Sequence, residues 1–189
     1  MVNQSHDLGV GEGIRSPSPR SGSADLRPTR VAIRRTPDDE WAAASIWAAA
    51  TARRDDLPSP VPAETKLRGI QQTLMLAGAS LHLAWRGSNP CGFAVLLPTG
   101  TSLEIRYLAV ASDAWGTGVG LDLLSHVLEH ARVNGFATID LWVIDTNTRA
   151  IGLYERGGWL RTDDLKSQIE TRRIERRFVH RVRGEANPC

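Results

Sequence analysis

The sequence predicts a mixed α/β (α+β) domain, with helices packed on one mixed sheet rather than a doubly wound one. Three observations predict it. The elements read in the order β-α-α-β-β-β-α-β-α-β-β, not as a regular strand–helix alternation. Residues 138–144 are apolar on both faces, as in a strand buried between layers. A strand over 103–110 runs directly into a glycine-rich loop that opens a helix.

Each element has its own signal. Residues 31–35 alternate as a short strand, and Thr36-Pro37-Asp38-Asp39 supplies a turn and a helix start. The alanine-rich stretch 41–52 is helical in propensity. Prolines 58, 60 and 62 then force a loop. A second helix over 64–77 places Leu67, Ile70 and Leu74 on one face, and Gly78 ends it. Strands follow at 81–85, 92–97 and 103–110, separated by the turns at 87–90 and 98–100. Residues 118–134 repeat apolar side chains at Leu121, Leu124, Val127 and Ala131, a helical period that Asn134-Gly135 stops. After strand 138–144, Asn147 can cap a short helix through Tyr154, which Gly157-Gly158 ends. A hairpin over 159–162 and 170–182 completes the domain.

A length of 189 residues fits one domain with a proper core. We place that domain at 30–185, after a disordered tail over 1–29 that lacks any hydrophobic period and before a frayed end at 186–189. A net charge of +2 does not argue for nucleic acid. No window has the length and apolarity of a membrane span, and no leader-like apolar segment opens the chain, so cytoplasm is the expected location. Cys91 and Cys189 do not form a disulfide framework.

The informative segment is Ala114-Trp115-Gly116-Thr117-Gly118-Val119-Gly120. The first N–H groups of a helix lack internal partners and sit at the positive end of its dipole. Glycines remove the side chains that would keep a bulky anion from those donors, and a diphosphate suits the site. Spacing discriminates among users of this device. A P-loop requires Lys-Ser or Lys-Thr after its last glycine, but Leu121-Asp122 follows Gly120. A dinucleotide fingerprint counted from Gly116 and Gly118 puts Leu121 where a small residue belongs, which makes a Rossmann-like nucleotide-binding protein the weaker reading.

The segment resembles the signature of the GNAT family of N-acetyltransferases, Gln/Arg-x-x-Gly-x-Gly/Ala after a strand. Trp115 departs from it by replacing the usual Gln or Arg. A second family block is matched by Asn147, Ala150, Leu153-Tyr154 and Gly158-Trp159. The resemblance implies acetyl-CoA as co-substrate, with its diphosphate on the main chain of Trp115, Gly116, Thr117, Gly118, Val119 and Gly120. It implies that Leu108, Ala109 and Val110 hold the pantetheine arm through their main chain, in a gap where this strand splays from 138–144. Asn147 turns toward the cofactor in such proteins, although it also reads simply as a helix cap.

The chemistry of an N-acetyltransferase needs an unprotonated amine and a proton for the departing thiolate. An amine of pKa about 10 must first lose a proton, which a carboxylate can accept through water. Glu104 is the candidate base, with pairing to Arg106 two residues on as its structural alternative. Tyr154 occupies the family's tyrosine position and is the candidate acid; its alternative is an aromatic core residue. Asp140 and Asp145 read as salt-bridge or turn residues. His126 and His130 lack metal-ligand spacing and read as a solvated helix face, and no metal is expected. The arginines from Arg172 to Arg183 read as a charged edge hairpin, or more sharply as a surface for an acidic acceptor or the cofactor's ribose phosphate.

The expected function is transfer of an acetyl group from acetyl-CoA to a primary amine by direct attack in a ternary complex. A small-molecule acceptor is favoured over a protein, a homodimer stays open, and neither membrane nor nucleic acid is expected as a partner. A catalytically silent acyl-CoA sensor is the alternative. Trp41 and Trp47 are expected in the core rather than in an acceptor pocket.

Overall fold

A computed structural model describes residues 28–168 and 172–182. The tail expected over 1–29 falls outside them save for its last two residues, and the end at 186–189 falls wholly outside. Among the described residues seven strands form one sheet: β1 (Thr29–Arg34), β2 (Ser80–Arg86), β3 (Asn89–Thr99), β4 (Ser102–Val110), β5 (Thr138–Ile144), β6 (Leu160–Ser167) and β7 (Ile174–Arg181). Their spatial order is β1-β2-β3-β4-β5-β7-β6. Only β4 and β5 run parallel. The mixed sheet and the element order agree with the sequence expectation. The expected C-terminal hairpin is found, with β6 antiparallel to β7, but β7 lies between β5 and β6, so of its two strands β6 is at the sheet edge.

Helices α1 (Pro37–Arg54) and α2 (Ala63–Leu74) cover one face; α3 (Val119–Val133) and α4 (Thr148–Arg156) cover the other. α1 starts earlier than its alanines suggest, because Thr36 and Asp39 cap it reciprocally and Pro37 fits the first turn. Its buried Ala43, Ala44, Ala48 and Ala52 allow close approach to the sheet, where Phe93, Val95 and Ala109 meet it. On the other face Leu124, Val127 and Ala131 of α3 pack on Leu103, Ile105, Ile139 and Leu141. No helix among the described residues is long and apolar enough to cross a membrane.

One irregularity sets up everything that follows. β3 pairs Val95 with Tyr107 and then Leu96 with Ile105, so Arg106 is an extra residue in β4. Pairing of β4 with β5 ends at Ile105 and Leu141. A bulge bends its strand and raises the local twist. Here it turns residues 106–110 away from β5 and opens a wedge in mid-sheet.

His126 and His130 are not a solvated face. His82 of β2 is fully buried; its Nδ1 lies 2.9 Å from His126 Nε2, and its ring centroid lies 4.8 Å from that of His130. Ser80 Oγ is 2.8 Å from His82 Nε2. Burial, reinforced by the neighbouring His130 and His126, pulls the His82 pKa down to about 3, and burial lowers those of His126 and His130 as well. A histidine held neutral contributes stability above its unfolded pKa of about 6.5 and loses it as pH falls toward the folded value. His82 alone is therefore expected to lower unfolding free energy by about 2 kcal/mol between pH 8 and pH 5. Urea titrations at the two pH values check this, and equal stability would contradict it. Among the described residues no cluster of His, Cys, Asp or Glu, this trio included, is arranged to hold a metal ion.

Candidate active site

The wedge opens into a groove of about 860 Å³. Residues Leu108, Ala109 and Val110 form one wall, and beyond Ile105 their outer edge has no strand partner. α4 forms the facing wall through Asn147, Arg149, Ala150, Leu153 and Tyr154. The end of α1 contributes Trp47, Ala50, Thr51, Arg53 and Arg54. Nine of the sequence-derived residues thus meet in one place, since Leu108, Ala109, Val110, Trp115, Gly116, Gly118, Gly120, Asn147 and Tyr154 line this groove, whereas the expected Thr117 and Val119 are not among its lining residues.

The three glycines of the loop serve two ends. Gly116 and Gly118 have φ of 78° and 97°, a region open to few other residues, and no atom lies within 4 Å of where a Cβ would sit. They let the chain turn while leaving the groove floor clear. Gly120 has ordinary φ, but a Cβ there would sit 2.9 Å from Leu153, so this glycine lets α3 approach α4. Gly118 is the N-cap of α3. The N–H groups of Gly118, Val119 and Gly120 have no acceptor among the described residues, as expected for the first turn of a helix.

Sequence reasoning missed what fixes this loop. Arg86, at the end of β2 and nearly buried, donates from Nη2 to the Thr117 carbonyl at 2.6 Å. Thr117 Oγ1 donates to the Ala114 carbonyl at 2.7 Å. Both bonds engage carbonyls of the turn and neither uses the N–H groups of Gly118, Val119 or Gly120. An arginine 31 residues upstream carries no local signal of such a role.

Trp115 turns its indole N–H onto the Val110 carbonyl at 2.8 Å. Asn147 Oδ1 accepts from Ala150 N at 3.3 Å, so it does cap α4 while lining the groove. Tyr154 is 6% exposed, with its ring centroid 5.9 Å from both Trp159 and Phe178. Burial pushes its phenol well above the usual tyrosine range. It is neutral at ordinary pH and able to donate a proton.

Glu104 does not line the groove. It accepts from Arg106 Nη1 at 3.1 Å, the pairing weighed against a catalytic role. The bulge also changes its neighbours. Leu103 and Ile105 pack toward α3, and beyond Arg106 that face passes to Leu108. Glu104 consequently shares the α1–α2 side with Tyr107 and Ala109, one residue below the point where the wedge opens.

Trp47, expected in the core, packs partly buried against the α1–α2 cluster and also lines the groove, with its ring 4.3 Å from that of Tyr107 and under the Lys66 ammonium at 4.5 Å. Trp41 is 44% exposed. The C-terminal arginines are largely engaged: Arg176 binds Asp145 at 2.8 Å, Arg177 binds Asp140 at 3.2 Å, and Arg173 reaches Asp55 at 2.9 Å. This favours a structural role for that run and for Asp140 and Asp145, although β7 lies inside the sheet and not at the expected edge. Thr51 offers the groove wall a buried hydroxyl with no partner among the described residues. A cleared floor, free N–H donors and such a hydroxyl fit a long, polar, phosphate-bearing ligand.

A model of the acetyltransferase (GNAT) family matches residues 42–159. The chain belongs to the GNAT family. The GNAT fold is shared with the ribosomal-protein-S18-alanine N-acetyltransferase of Escherichia coli, at TM-score 0.64 and 19% identity over 86% of this chain and 100% of the other. An acetyltransferase from Salmonella typhimurium solved with acetyl-CoA matches at TM-score 0.59 and 16% identity, over 85% of this chain and 98% of the other. In sequence, a mycothiol acetyltransferase from Parafrankia sp. (strain EAN1pec) is 43% identical over 58 residues, which are 31% of this chain and 18% of that protein. The chain thus spans under a fifth of that relative's length. Relative to the GNAT signature, Trp115 remains the departure, and its N–H is spent on the strand that precedes it.

Proposed function

We propose that this chain is an acetyl-CoA-dependent N-acetyltransferase acting on the primary amine of a small-molecule acceptor by direct attack. The observation that carries the reading is the juxtaposition of two features: a wedge between β4 and β5, and free N–H donors at the start of α3. Bound acetyl-CoA supplies an activated thioester carbonyl. Gly118, Val119 and Gly120 hold its diphosphate through main-chain donors, aided by the helix dipole. The unpartnered edge over residues 106–110 takes the pantetheine arm, and Asn147 borders it. The family name of the sequence relatives supports acetyl as the group transferred.

Tyr154 gives its phenolic proton to the sulfur as the C–S bond breaks and the C–N bond forms. Glu104 takes the proton of the attacking amine through water, with Arg106 as its neighbour. A second pocket of about 620 Å³ shares Arg54, Thr146 and Asn147 with the groove and includes Leu165 and Ile174 of β6 and β7. It is the opening we assign to the acceptor.

Release of free thiol from acetyl-CoA in the presence of a panel of amines tests the reading. Amine-dependent thiol release is the expected result. Tight acetyl-CoA binding without release from any amine would favour the silent sensor, a reading to which the Glu104–Arg106 pair lends weight. Within an active enzyme, Glu104→Gln is expected to lower kcat about tenfold or more at neutral pH and to lose less at high pH, where the amine is already deprotonated. A pH profile parallel to that of the wild type would remove Glu104 from the chemistry.

A further inference from the structure

The groove is strongly one-sided in charge. Among the described residues Arg53, Arg54, Arg149 and Arg156 line it, against a single carboxylate, Asp56. Arg54 is engaged in a two-pronged pair with Asp55, at 2.8 Å for each contact. Arg149 is different. It stands in the first turn of α4, is exposed, and has no carboxylate partner among the described residues. Its guanidinium instead lies over the Trp115 ring, 4.5 Å from the centroid. That ring is itself pinned through Nε1 to the Val110 carbonyl. Both residues border the groove beside Gly116 and Gly118.

A guanidinium on an aromatic face keeps its in-plane N–H groups available while the stack limits its rotamers. Such a group binds phosphate oxygens with directed, charge-assisted bonds. Trp115 stands where the GNAT signature has Gln or Arg. Its ring cannot donate to the ligand from there, because its one N–H is spent. Arg149 brings a donor to the same corner from the opposite wall.

We infer that Arg149, held on the Trp115 ring, is a phosphate-binding residue for coenzyme A, supplying from α4 the side-chain donor that Trp115 does not provide in the loop. This rests on the acetyl-CoA reading above. Trp115 acts as the platform, a positioning residue, and Arg149 as the group that meets the ligand. The group recognised is a phosphate ester, either in the diphosphate or at the 3′ position of the ribose.

Titration calorimetry with CoA and with dephospho-CoA tests the assignment, using the wild type and the Arg149→Ala, Arg149→Lys and Trp115→Leu variants. Arg149→Ala is expected to weaken CoA binding about tenfold or more, with a shallower salt dependence. Arg149→Lys should recover part of that affinity, since charge returns without the fork. Trp115→Leu, which leaves Arg149 in place but removes its platform, should weaken binding several-fold. Thermal melts report on folding, and Arg149→Ala, exposed, should melt with the wild type. If the effect of Arg149→Ala disappears with dephospho-CoA, the 3′-phosphate is the group bound; if it persists, the diphosphate is. A wild type that binds CoA beside an Arg149→Ala variant of equal affinity overturns this assignment alone. A wild type that binds no CoA overturns the acetyl-CoA reading and this assignment with it.

Discussion

Gly118→Glu is expected to abolish measurable CoA binding, a loss of about 100-fold or more in affinity, while the chain stays folded. Position 118 is the N-cap of α3 at φ 97°, with open space around the site of a Cβ. A non-glycine residue in this left-handed region costs about 1–2 kcal/mol in backbone strain. That cost is local, because no packed neighbour must move. The carboxylate is the larger effect. It enters the groove mouth beside the free N–H groups of Val119 and Gly120 and presents negative charge where the diphosphate belongs. Gly118→Ala separates the two effects, since it carries the strain without the charge and is expected to weaken binding by about tenfold at most. Calorimetry with CoA, with circular dichroism to confirm folding, checks both variants. Wild-type affinity in the glutamate variant would remove the loop from the cofactor site.

Tyr154→Phe is expected to lower kcat by about 100-fold and to leave the KM for acetyl-CoA within about threefold of the wild type. The substitution keeps the ring that packs between Trp159 and Phe178 and removes only the hydroxyl. That hydroxyl has no protein partner among the described residues, so thermal stability should hardly change. Initial rates at saturating amine give the split between kcat and KM. Because burial raises the phenol's pKa, its proton is retained as pH rises through the ordinary tyrosine range. The kcat profile of the wild type should therefore show no descending limb from this group below about pH 10. An unchanged kcat in the phenylalanine variant would return Tyr154 to a purely structural role.

Much of the site was legible because its signals are local. Gly116 and Gly118, followed by a helical period, announce a helix start with exposed N–H groups whatever lies around them. Asn147 and the spacing to Tyr154 place the tyrosine on a capped helix, as found. The misreadings share a cause. His126 and His130 read as solvated because their partner, His82, lies 44 residues away from the nearer of them. Trp47 read only as core because the groove it also borders is built by other elements. The C-terminal arginines read as an edge because nothing in their own sequence shows that β7 enters beside β5.

The sequence by itself determined the elements, their order and the glycine-led helix start with its exposed N–H groups. These follow from backbone conformational preference and side-chain period, which act over a few residues. The tertiary structure alone decided the rest. An extra residue at Arg106, visible only when β4 is set against β3, bends the strand and opens the wedge. The same shift brings Tyr107 and Ala109 onto the side that Glu104 faces, and folding brings Arg86 to the loop and Arg149 to Trp115. Register and long-range contact depend on how separate segments pack together, and no local pattern in one segment encodes its partner.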